Sequence, residues 1–290
     1  DRSPSRGLGD VYKRQVFYDH IREAAEQSGQ SMDEVFQKVE SFGIKGIEIE
    51  DKVLMEEEEK IFKLLQNHDM EVSCIYGFFD YSHGNDLQRG FDLIDFADDH
   101  SIKKIMIIPG FLTDREWKLA FLRNRCVKKM ITGLNILSKY AKDNGIQMVL
   151  EDFDDAPAYY KDAAGLKFFL AHVDGLKCAF DTGNFLYSEE DSFEVLPEFL
   201  GKIGHVHCKD RTFEVKKGET PKATVKGREM YSSPVGSGCI QMKEIVEKIL
   251  ASGYDDYFAI EHFGSCQQLQ DIETSAAWLN QFKTGGCIDD

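Results

Sequence analysis

Two histidines separated by one residue stand near the end of a short apolar segment, residues 203–208. Side chains of a β-strand alternate between its two faces, so His205 and His207 point the same way. Two imidazoles on one face at a strand end suit a metal ligand with a supporting group beside it. The alternative is a pair of core histidines whose ring nitrogens bond to the backbone. These residues alone leave both interpretations open.

The elements that must position these histidines alternate along the chain between short apolar runs and amphipathic segments. Most of the runs are almost continuously apolar, as are the strands of a parallel sheet that helices cover on its outside. Eight such units in 290 residues predict an α/β fold with a single (β/α)8 TIM barrel. A doubly wound open sheet is the alternative, but no Gly-x-Gly-x-x-Gly follows the first run. The runs lie near residues 16–18, 46–50, 71–76, 104–108, 147–151, 176–181, 203–208 and 257–261.

The N-terminal segment, residues 1–15, has no periodicity and changes abruptly into the first apolar run. It resembles translated adapter or vector sequence, and an ordinary flexible tail is the alternative. We therefore predict a non-native or disordered tail over residues 1–15 and a barrel domain over residues 16–290. The first strand is then expected to be truncated to residues 16–18.

The composition restricts the partners of the protein. The chain has 35 basic and 51 acidic residues, a net charge of −16, so we predict neither nucleic-acid nor membrane binding. No run approaches the roughly 20 apolar residues of a membrane helix. The seven cysteines are scattered without a Cys-x-x-Cys pair, and we expect no secretory signal, since the N-terminal segment has no apolar core. These features favour a cytoplasmic protein.

Four polar residues directly follow apolar runs on four different strands: Glu151, Asp181, His207 and Glu261. In a TIM barrel, catalytic groups lie at the C-terminal ends of the strands, so these side chains are expected to converge. For any one of the carboxylates, a helix cap or a lysine partner is the alternative. Together they would repel one another unless a cation neutralised them. The set suits one divalent metal ion, Mn²⁺ first, with Mg²⁺, Co²⁺ and Zn²⁺ also compatible.

Five short motifs occur in a characteristic order: LED at 150–152, FDTGN at 180–184, HVHCKD at 205–210, PVGSG at 234–238 and AIEH at 259–262. Together they resemble the sugar phosphate isomerase/epimerase family, the xylose-isomerase-like TIM barrels, from about Val16 to the end of the chain. The resemblance implies that Glu151, Asp181, His207 and Glu261 are the metal ligands and that the partner is a small-molecule sugar. It also implies a homo-oligomer, because family members are often dimers or tetramers.

The resemblance further implies that Glu151 and Glu261 form a catalytic acid/base pair. A proton next to a carbonyl is weakly acidic, and a cation that holds the oxygens stabilises the resulting enediolate. One carboxylate removes the proton and another returns it elsewhere. We therefore predict a metal-dependent sugar or sugar phosphate isomerase/epimerase. A dehydratase of a keto-sugar or keto-inositol using the same site is the alternative. An endonuclease IV-like nuclease is disfavoured by the acidic charge and the eight histidines, and a non-catalytic barrel by the retained ligand set.

Four further residues are candidates for substrate binding. His205 faces the substrate or belongs to the core, and Asn184 stands where several relatives carry a substrate-contacting histidine. Lys209 reaches substrate oxygens or pairs with Asp210. Arg228 belongs to a long loop, residues 211–238, that also carries four lysines. Such loops are often lids, and its cations form either an anion clamp or, as we favour, a solvated face. The glycines at 236 and 238 offer backbone N–H groups to an anion or form a tight turn.

Overall fold

The computed structural model describes residues 13–84 and 87–282, and within them eight parallel strands close into a barrel. The barrel order is β1, β2, β3, β4, β5, β6, β7 and β11, which returns to β1, and β8, β10 and β9 form a separate small sheet. The predicted (β/α)8 TIM barrel is confirmed. The strands are β1 (Arg14–Phe17), β2 (Gly46–Glu50), β3 (Glu71–Phe78), β4 (Lys104–Ile108), β5 (Gln147–Glu151), β6 (Lys177–Asp181), β7 (Ile203–Cys208), β8 (Asp210–Thr212), β9 (Lys222–Ala223), β10 (Glu229–Ser233) and β11 (Phe258–Ile260).

Helices surround the barrel, and most of them bury residues on one side. The helices are α1 (Tyr18–Ser28), α2 (Met32–Ser41), α3 (Asp51–Glu56), α4 (Glu58–Asn67), α5 (Leu87–Asp99), α6 (Asp114–Lys118), α7 (Ala120–Asp143), α8 (Ala163–His172), α9 (Ser192–Val195), α10 (Met242–Ala251) and α11 (Gln268–Leu279). Short 3-10 turns cover Phe185–Ser188, Leu196–Glu198 and Leu200–Lys202. None of the helices in the described ranges has the length and apolarity that crossing a membrane requires.

Local sequence explains where individual helices begin. The Ser31 hydroxyl accepts from the Glu34 N–H, and the Glu34 carboxylate accepts from the Ser31 N–H, so α2 begins with a capping box. Thr113 and Glu116 form the same arrangement at α6. Leu119 then adopts an extended conformation and separates α6 from α7. The helical segment is therefore divided into two helices at this residue.

The first strand begins earlier than predicted. Arg14 and Gln15 belong to β1, which pairs with β11 on one side and β2 on the other. Tyr18, expected in the strand, begins α1 instead. The predicted tail is thus corrected at Arg14 and Gln15, because these residues complete the ladder between two neighbouring strands. Lys13 is also described, and its carbonyl oxygen accepts from the Phe258 N–H at 2.9 Å. Residues 1–12 of the predicted tail lie outside the described residues.

Polar side chains occupy the barrel interior. Gln15 of β1, Glu48 of β2, Lys104 of β4 and His205 of β7 are almost fully buried and hydrogen bond to one another across the barrel. Ser73 of β3 donates to Gln15 and to the Ile47 carbonyl oxygen. Apolar side chains fill the space between the strands and the helices. The network therefore forms a polar layer beneath the C-terminal mouth, where the predicted site residues lie.

A three-stranded antiparallel sheet follows β7 and forms a lid over the barrel mouth. β10 pairs with β8 and with β9. The lid contacts the segment after β6, where Val225 N–H donates to the Tyr187 carbonyl oxygen at 2.9 Å. Arg228 also donates to Glu189 there, from Nη2 at 2.6 Å and from Nε at 3.1 Å. The long loop of the sequence thus forms an ordered cover.

Candidate active site

Four side chains meet at the C-terminal ends of β5, β6, β7 and β11. His207 Nδ1 lies 3.1 Å from Glu151 Oε2, 3.5 Å from Glu261 Oε2 and 3.7 Å from Asp181 Oδ2. Glu151, Asp181 and His207 each offer a ligand atom within 4.8 Å of the others. Asp181 and His207 are partners in the register of β6 and β7, and Glu261 follows directly after β11. The structure therefore brings together all four residues that the sequence analysis selected as metal ligands.

The donor atoms of this cluster fit a divalent cation. Asp181 Oδ2 and Glu261 Oε2 are buried and accept no hydrogen bond from the described residues. Backbone N–H groups of Gly183 and Asn184 donate to Asp181 Oδ1 at 2.7 and 2.9 Å and fix the orientation of that carboxylate. Lys209 Nζ lies 3.5 Å from Asp181 Oδ2, within ion-pair distance. Buried carboxylate oxygens that accept no hydrogen bond are costly, and coordination to a cation would satisfy them. Three carboxylates and one imidazole suit Mg²⁺, Mn²⁺ or Zn²⁺.

The carboxylates differ in their affinity for protons. Burial raises the pKa of Glu261 to about 8. The positive charge of Lys209 acts to lower this pKa, whereas the negative charge of Asp181 acts to raise it further. Burial also raises the pKa of Glu151, against the hydrogen bond with His207. For Asp181 burial acts in the same direction, but Lys209 and His207 outweigh it and hold the pKa well below its usual range. Glu151 and Glu261 are therefore the members of the cluster best suited to exchanging protons.

Glu48, which the sequence analysis did not select, orients the imidazole of His207. Its Oε2 atom accepts from Gln15 Nε2 at 2.6 Å and lies 2.9 Å from His205 Nε2 and 3.2 Å from His207 Nε2. A hydrogen bond at Nε2 leaves Nδ1 of His207 directed at the carboxylates. The feature of the sequence that could have identified Glu48 is its position between two apolar residues, Ile47 and Ile49, of the same strand.

His205 lies in the barrel interior and not on a wall open to a ligand. Its Nδ1 is 3.0 Å from Lys104 Nζ, and Lys104 Nζ is also 2.8 Å from Asp256 Oδ2. Burial and Lys104 lower the pKa of His205 to about 4, so the ring is neutral near pH 7. This position favours the core alternative for His205, whereas the neighbouring His207 faces the carboxylate cluster.

A cavity of about 460 Å³ opens above the cluster, and Glu151 and Glu261 form part of its floor. Asn184 and Lys209 line it as well, with Lys209 Nζ donating to Asn184 Oδ1 at 2.7 Å and contacting Glu261. The remaining wall is partly aromatic or aliphatic and partly charged. Its members are Phe17, Tyr76, Phe78, Met106, Ile108, Phe153 and Phe263 on the apolar part, with Asp154, Arg211, Thr220, Lys222 and Gly264 completing it.

Two expectations for the charged residues require correction. Arg228 lies outside this cavity lining, because its guanidinium is bound by the Glu189 carboxylate between the lid and the barrel. Lys209 does not pair with Asp210. Instead, Asp210 accepts from the backbone N–H groups of Gly236 at 3.0 Å and Gly238 at 2.9 Å.

The glycine-containing turn after β10 therefore binds a carboxylate of the chain itself. Gly236 has φ +80°, and a Cβ at this position would overlap the Trp278 ring. A Cβ at Gly238 would overlap Asp210. Glycine is thus needed at both positions for the turn to approach Asp210. The hydrogen bonds between the turn and Asp210 connect the lid to the end of β7.

Known proteins share this fold. An inosose dehydratase from Clostridium perfringens is 26% identical over 171 residues, 56% of this chain and 54% of that protein. The chain thus spans about half the length of the curated relatives it matches. A magnesium complex of a xylose isomerase-like TIM barrel protein from Mycobacterium smegmatis has a TM-score of 0.69, at 16% identity, over 93% of this chain and 96% of that one.

The structure of an L-ribulose 3-epimerase has a TM-score of 0.67 at 16% identity, covering 93% of this chain and 94% of that one. These similarities show a common barrel. The family model of the xylose isomerase-like TIM barrel matches residues 36–282, which is most of the sequence, and confirms the resemblance of the motifs. This chain therefore belongs to the xylose isomerase-like TIM barrel family.

Proposed function

We propose that the protein is a divalent-metal-dependent isomerase or epimerase of a sugar or sugar phosphate, which removes a proton next to a carbonyl. One observation carries this proposal. Glu151 and Glu261 come from separate strands, lie near His207 Nδ1, and both line the cavity. Two proton-exchanging carboxylates beside a cation-compatible cluster suit the formation and reprotonation of an enediolate.

Glu151, Asp181, His207 and Glu261 would hold the metal ion, for which we favour Mn²⁺. The M. smegmatis neighbour binds magnesium, which supports a divalent ion in this class of barrel. When bound, such an ion polarises the carbonyl of the substrate and stabilises negative charge on its oxygen. Glu48 supports the site by holding the ring of His207 through Nε2.

The residues of the chain move the protons. Burial raises the pKa values of Glu151 and Glu261, so each carboxylate, once ionised, is a stronger base than an ordinary glutamate and suits taking a proton from carbon and returning it. Lys209, in contact with Glu261, stabilises its ionised form before proton transfer. The aromatic wall excludes water from the reacting carbon, which strengthens these electrostatic interactions.

A dehydratase is the second candidate, because the curated relatives that match are inosose dehydratases. Lys209 supplies a chemical reason to retain it. Its ammonium group lines the cavity beside Glu261, where it could deliver a proton to a departing hydroxide. Proton abstraction would be common to both reactions, and only the fate of the hydroxyl on the neighbouring carbon would differ.

Incubation in D₂O with Mn²⁺ and a panel of ketoses, ketose phosphates and keto-inositols tests both candidates. An isomerase or epimerase incorporates deuterium next to the carbonyl and releases no water, whereas a dehydratase yields a product lighter by one water. Absence of both changes across the panel would contradict the proposal. The Glu151→Gln variant separates catalysed exchange from spontaneous exchange.

The remaining expectations are proposals with their own tests. We propose a cytoplasmic homo-oligomer that binds no nucleic acid, and we propose that residues 1–12 are non-native sequence. Light scattering measures the oligomeric state, and a duplex containing an abasic site tests for nuclease activity. Removal of residues 1–12 should leave the melting temperature unchanged.

A further inference from the structure

The wall of the cavity beside the proposed catalytic carboxylates contains an unusual pair of cations. Arg211 of β8 is 4% exposed, and Lys222 of β9 is partly exposed. Both line the cavity from the lid side. Between them lies Asp154, a buried carboxylate that follows β5. Both cationic side chains contact this carboxylate, whose Oδ2 atom also lies 3.8 Å from Lys209 Nζ.

Asp154 satisfies Lys222 far better than it satisfies Arg211. Lys222 Nζ donates to Asp154 Oδ1 at 2.6 Å, a short charge-assisted hydrogen bond. Arg211 Nη2 is 3.4 Å from Asp154 Oδ2, and Nη1 is 3.5 Å from the Phe263 carbonyl oxygen. Both distances are at the outer limit for a hydrogen bond. The guanidinium is therefore held in position with weak partners only.

One donor of Arg211 has no protein partner. Its Nε atom is buried and donates to no acceptor in the described ranges. A guanidinium has five N–H donors in a planar fork, and the Nε side together with one terminal nitrogen matches the two oxygens of a carboxylate or phosphate. A buried donor that is left unsatisfied costs free energy, which an incoming anion would recover.

The nearby lysine does not remove this excess of positive charge. Lys209 contacts Glu261 and donates to Asn184 Oδ1, so its ammonium is engaged at the cavity floor. Much of the remaining lining is aromatic or aliphatic, with Phe17, Phe78 and Phe153 among its members. Arg211 and Lys222 are thus the cations of the lining that form no ion pair with Glu151, Asp181 or Glu261 among the described residues.

We propose that Arg211 and Lys222 form an anion subsite, so that the substrate is an acidic sugar carrying a carboxylate or phosphate at the end remote from its reacting carbonyl. The inference deepens the proposed function and rests on it, in that the cavity is the substrate site. Arg211 binds the anion through its guanidinium, whose weak protein partners leave it donors to offer, and Lys222 contributes charge while remaining bonded to Asp154. The aromatic wall packs against the C–H groups of the sugar.

Calorimetry with matched neutral and anionic ligands tests the subsite. The probes are D-fructose against D-fructose 6-phosphate and D-glucose against D-glucuronate, with the full-length protein saturated with Mn²⁺. We expect at least one anionic member to bind about tenfold or more tightly than its neutral partner, the scale of one charged hydrogen bond. The phosphate and carboxylate pairs distinguish the two sources of charge. Equal affinities in both pairs, or no binding of either anion, would overturn the inference.

Variants localise the preference. Arg211→Gln is expected to reduce the ratio of anionic to neutral affinity to near one, and Lys222→Gln, a change at a partly exposed side chain, to reduce it by several-fold. Arg228→Gln is the matched control, because this arginine is on the same lid but bound to Glu189. It should leave the ratio unchanged. A ratio that survives both Arg211→Gln and Lys222→Gln would refute the assignment.

The outcome separates this inference from the proposed reaction. Binding is measured by heat and needs no turnover, whereas the reaction is followed by deuterium uptake. Anion preference without deuterium uptake would support the subsite and contradict the isomerase. Uptake into neutral sugars without anion preference would support the isomerase and overturn the subsite.

Discussion

His207 Nε2 lies 3.2 Å from Glu48 Oε2, while Nδ1 of the same ring lies 3.1 Å from Glu151 Oε2. The imidazole thus connects the polar layer inside the barrel with the carboxylate cluster at its mouth. A hydrogen bond on one ring nitrogen fixes the tautomer and directs the other nitrogen toward a ligand. Burial acts to raise the pKa of Glu48, but His207 and His205 outweigh it and hold this pKa far below its usual range. Glu48 is therefore ionised when it accepts these hydrogen bonds.

Replacement of Glu48 by glutamine should weaken metal binding without removing a ligand. Loss of an outer partner of a ligating histidine commonly reduces metal affinity by about 10- to 100-fold. We expect a loss of this size in Mn²⁺ titrations of Glu48→Gln. Glu50→Gln, at the end of the same strand, is the control and should bind Mn²⁺ as the wild type does. An unchanged affinity in a folded Glu48→Gln protein would show that Glu48 has no such role.

Replacement of each proposed proton carrier should remove activity. Glu151→Gln and Glu261→Gln are expected to slow turnover by about 10²- to 10⁴-fold, the usual contribution of a positioned acid or base. For an epimerase, each carboxylate serves one face, so each variant should lose deuterium exchange from one epimer more than from the other. Glu247→Gln, on the surface of α10, is the control. Full exchange from both epimers in either variant would exclude that residue.

Metal binding should stabilise the fold through the same carboxylates. At a concentration of one hundred times Kd, a ligand stabilises a protein by about 2.7 kcal/mol. For a chain of this size, that corresponds to a rise in melting temperature of about 5–10 °C. Scanning calorimetry with Mn²⁺ and then with a chelator measures this difference. Asp181→Asn should abolish most of it, and an undiminished rise in that variant would place the metal elsewhere.

The sequence predicted those parts of the site that follow from strand periodicity. Glu151, Asp181 and His207 each end an apolar run, and parallel strands deliver their C-terminal residues to one mouth. Glu261 likewise follows the apolar run of β11, so all four residues of the cluster could be selected from the sequence. The alternation of side chains along a strand also predicted that His205 and His207 lie on the same face. Their different roles depend on how far each residue lies from the C-terminal end of the strand, and alternation does not indicate which position is occupied by a ligand.

Residues inside strands were harder to predict, because their roles depend on partners from distant parts of the chain. Glu48 is meaningful only with His207, which comes from a strand across the barrel. Gln15 was assigned to a tail, because four residues of β1 are too few to show alternation. Arg228 was selected for its charge, but the Glu189 carboxylate that binds it follows a different strand. Long-range pairings of this kind leave no local pattern in the sequence.

Protonation of His83, which does not line the cavity, should stabilise the fold at low pH. His83 Nδ1 is 2.9 Å from Asp80 Oδ1, and Nε2 is 3.0 Å from both oxygens of Glu116. Burial acts to lower the pKa of His83, but hydrogen bonds with Glu116 and Asp80 outweigh it and raise the pKa. Burial acts to raise the pKa of Glu116, but hydrogen bonds with Thr113 and His83 outweigh it and lower this pKa to about 2. Glu116 therefore keeps its negative charge at the pH values at which His83 is protonated.

A raised pKa means that the folded state binds the proton of His83 more tightly than the unfolded state does. The stabilisation is therefore complete below the unfolded pKa of about 6.5 and is lost as the pH rises through the folded value. Because the His83 side chain is 41% exposed, we expect no more than about 1 kcal/mol. Urea unfolding of His83→Gln should show a larger deficit near pH 6 than near pH 9. His172→Gln is the control, because the acceptor beside His172 Nδ1 is uncharged, namely the Phe168 carbonyl oxygen at 2.7 Å. Its effect on stability should not differ between the two pH values in the way that the effect of His83→Gln does. A deficit of His83→Gln that is equal at both pH values would exclude the proposed ion pair.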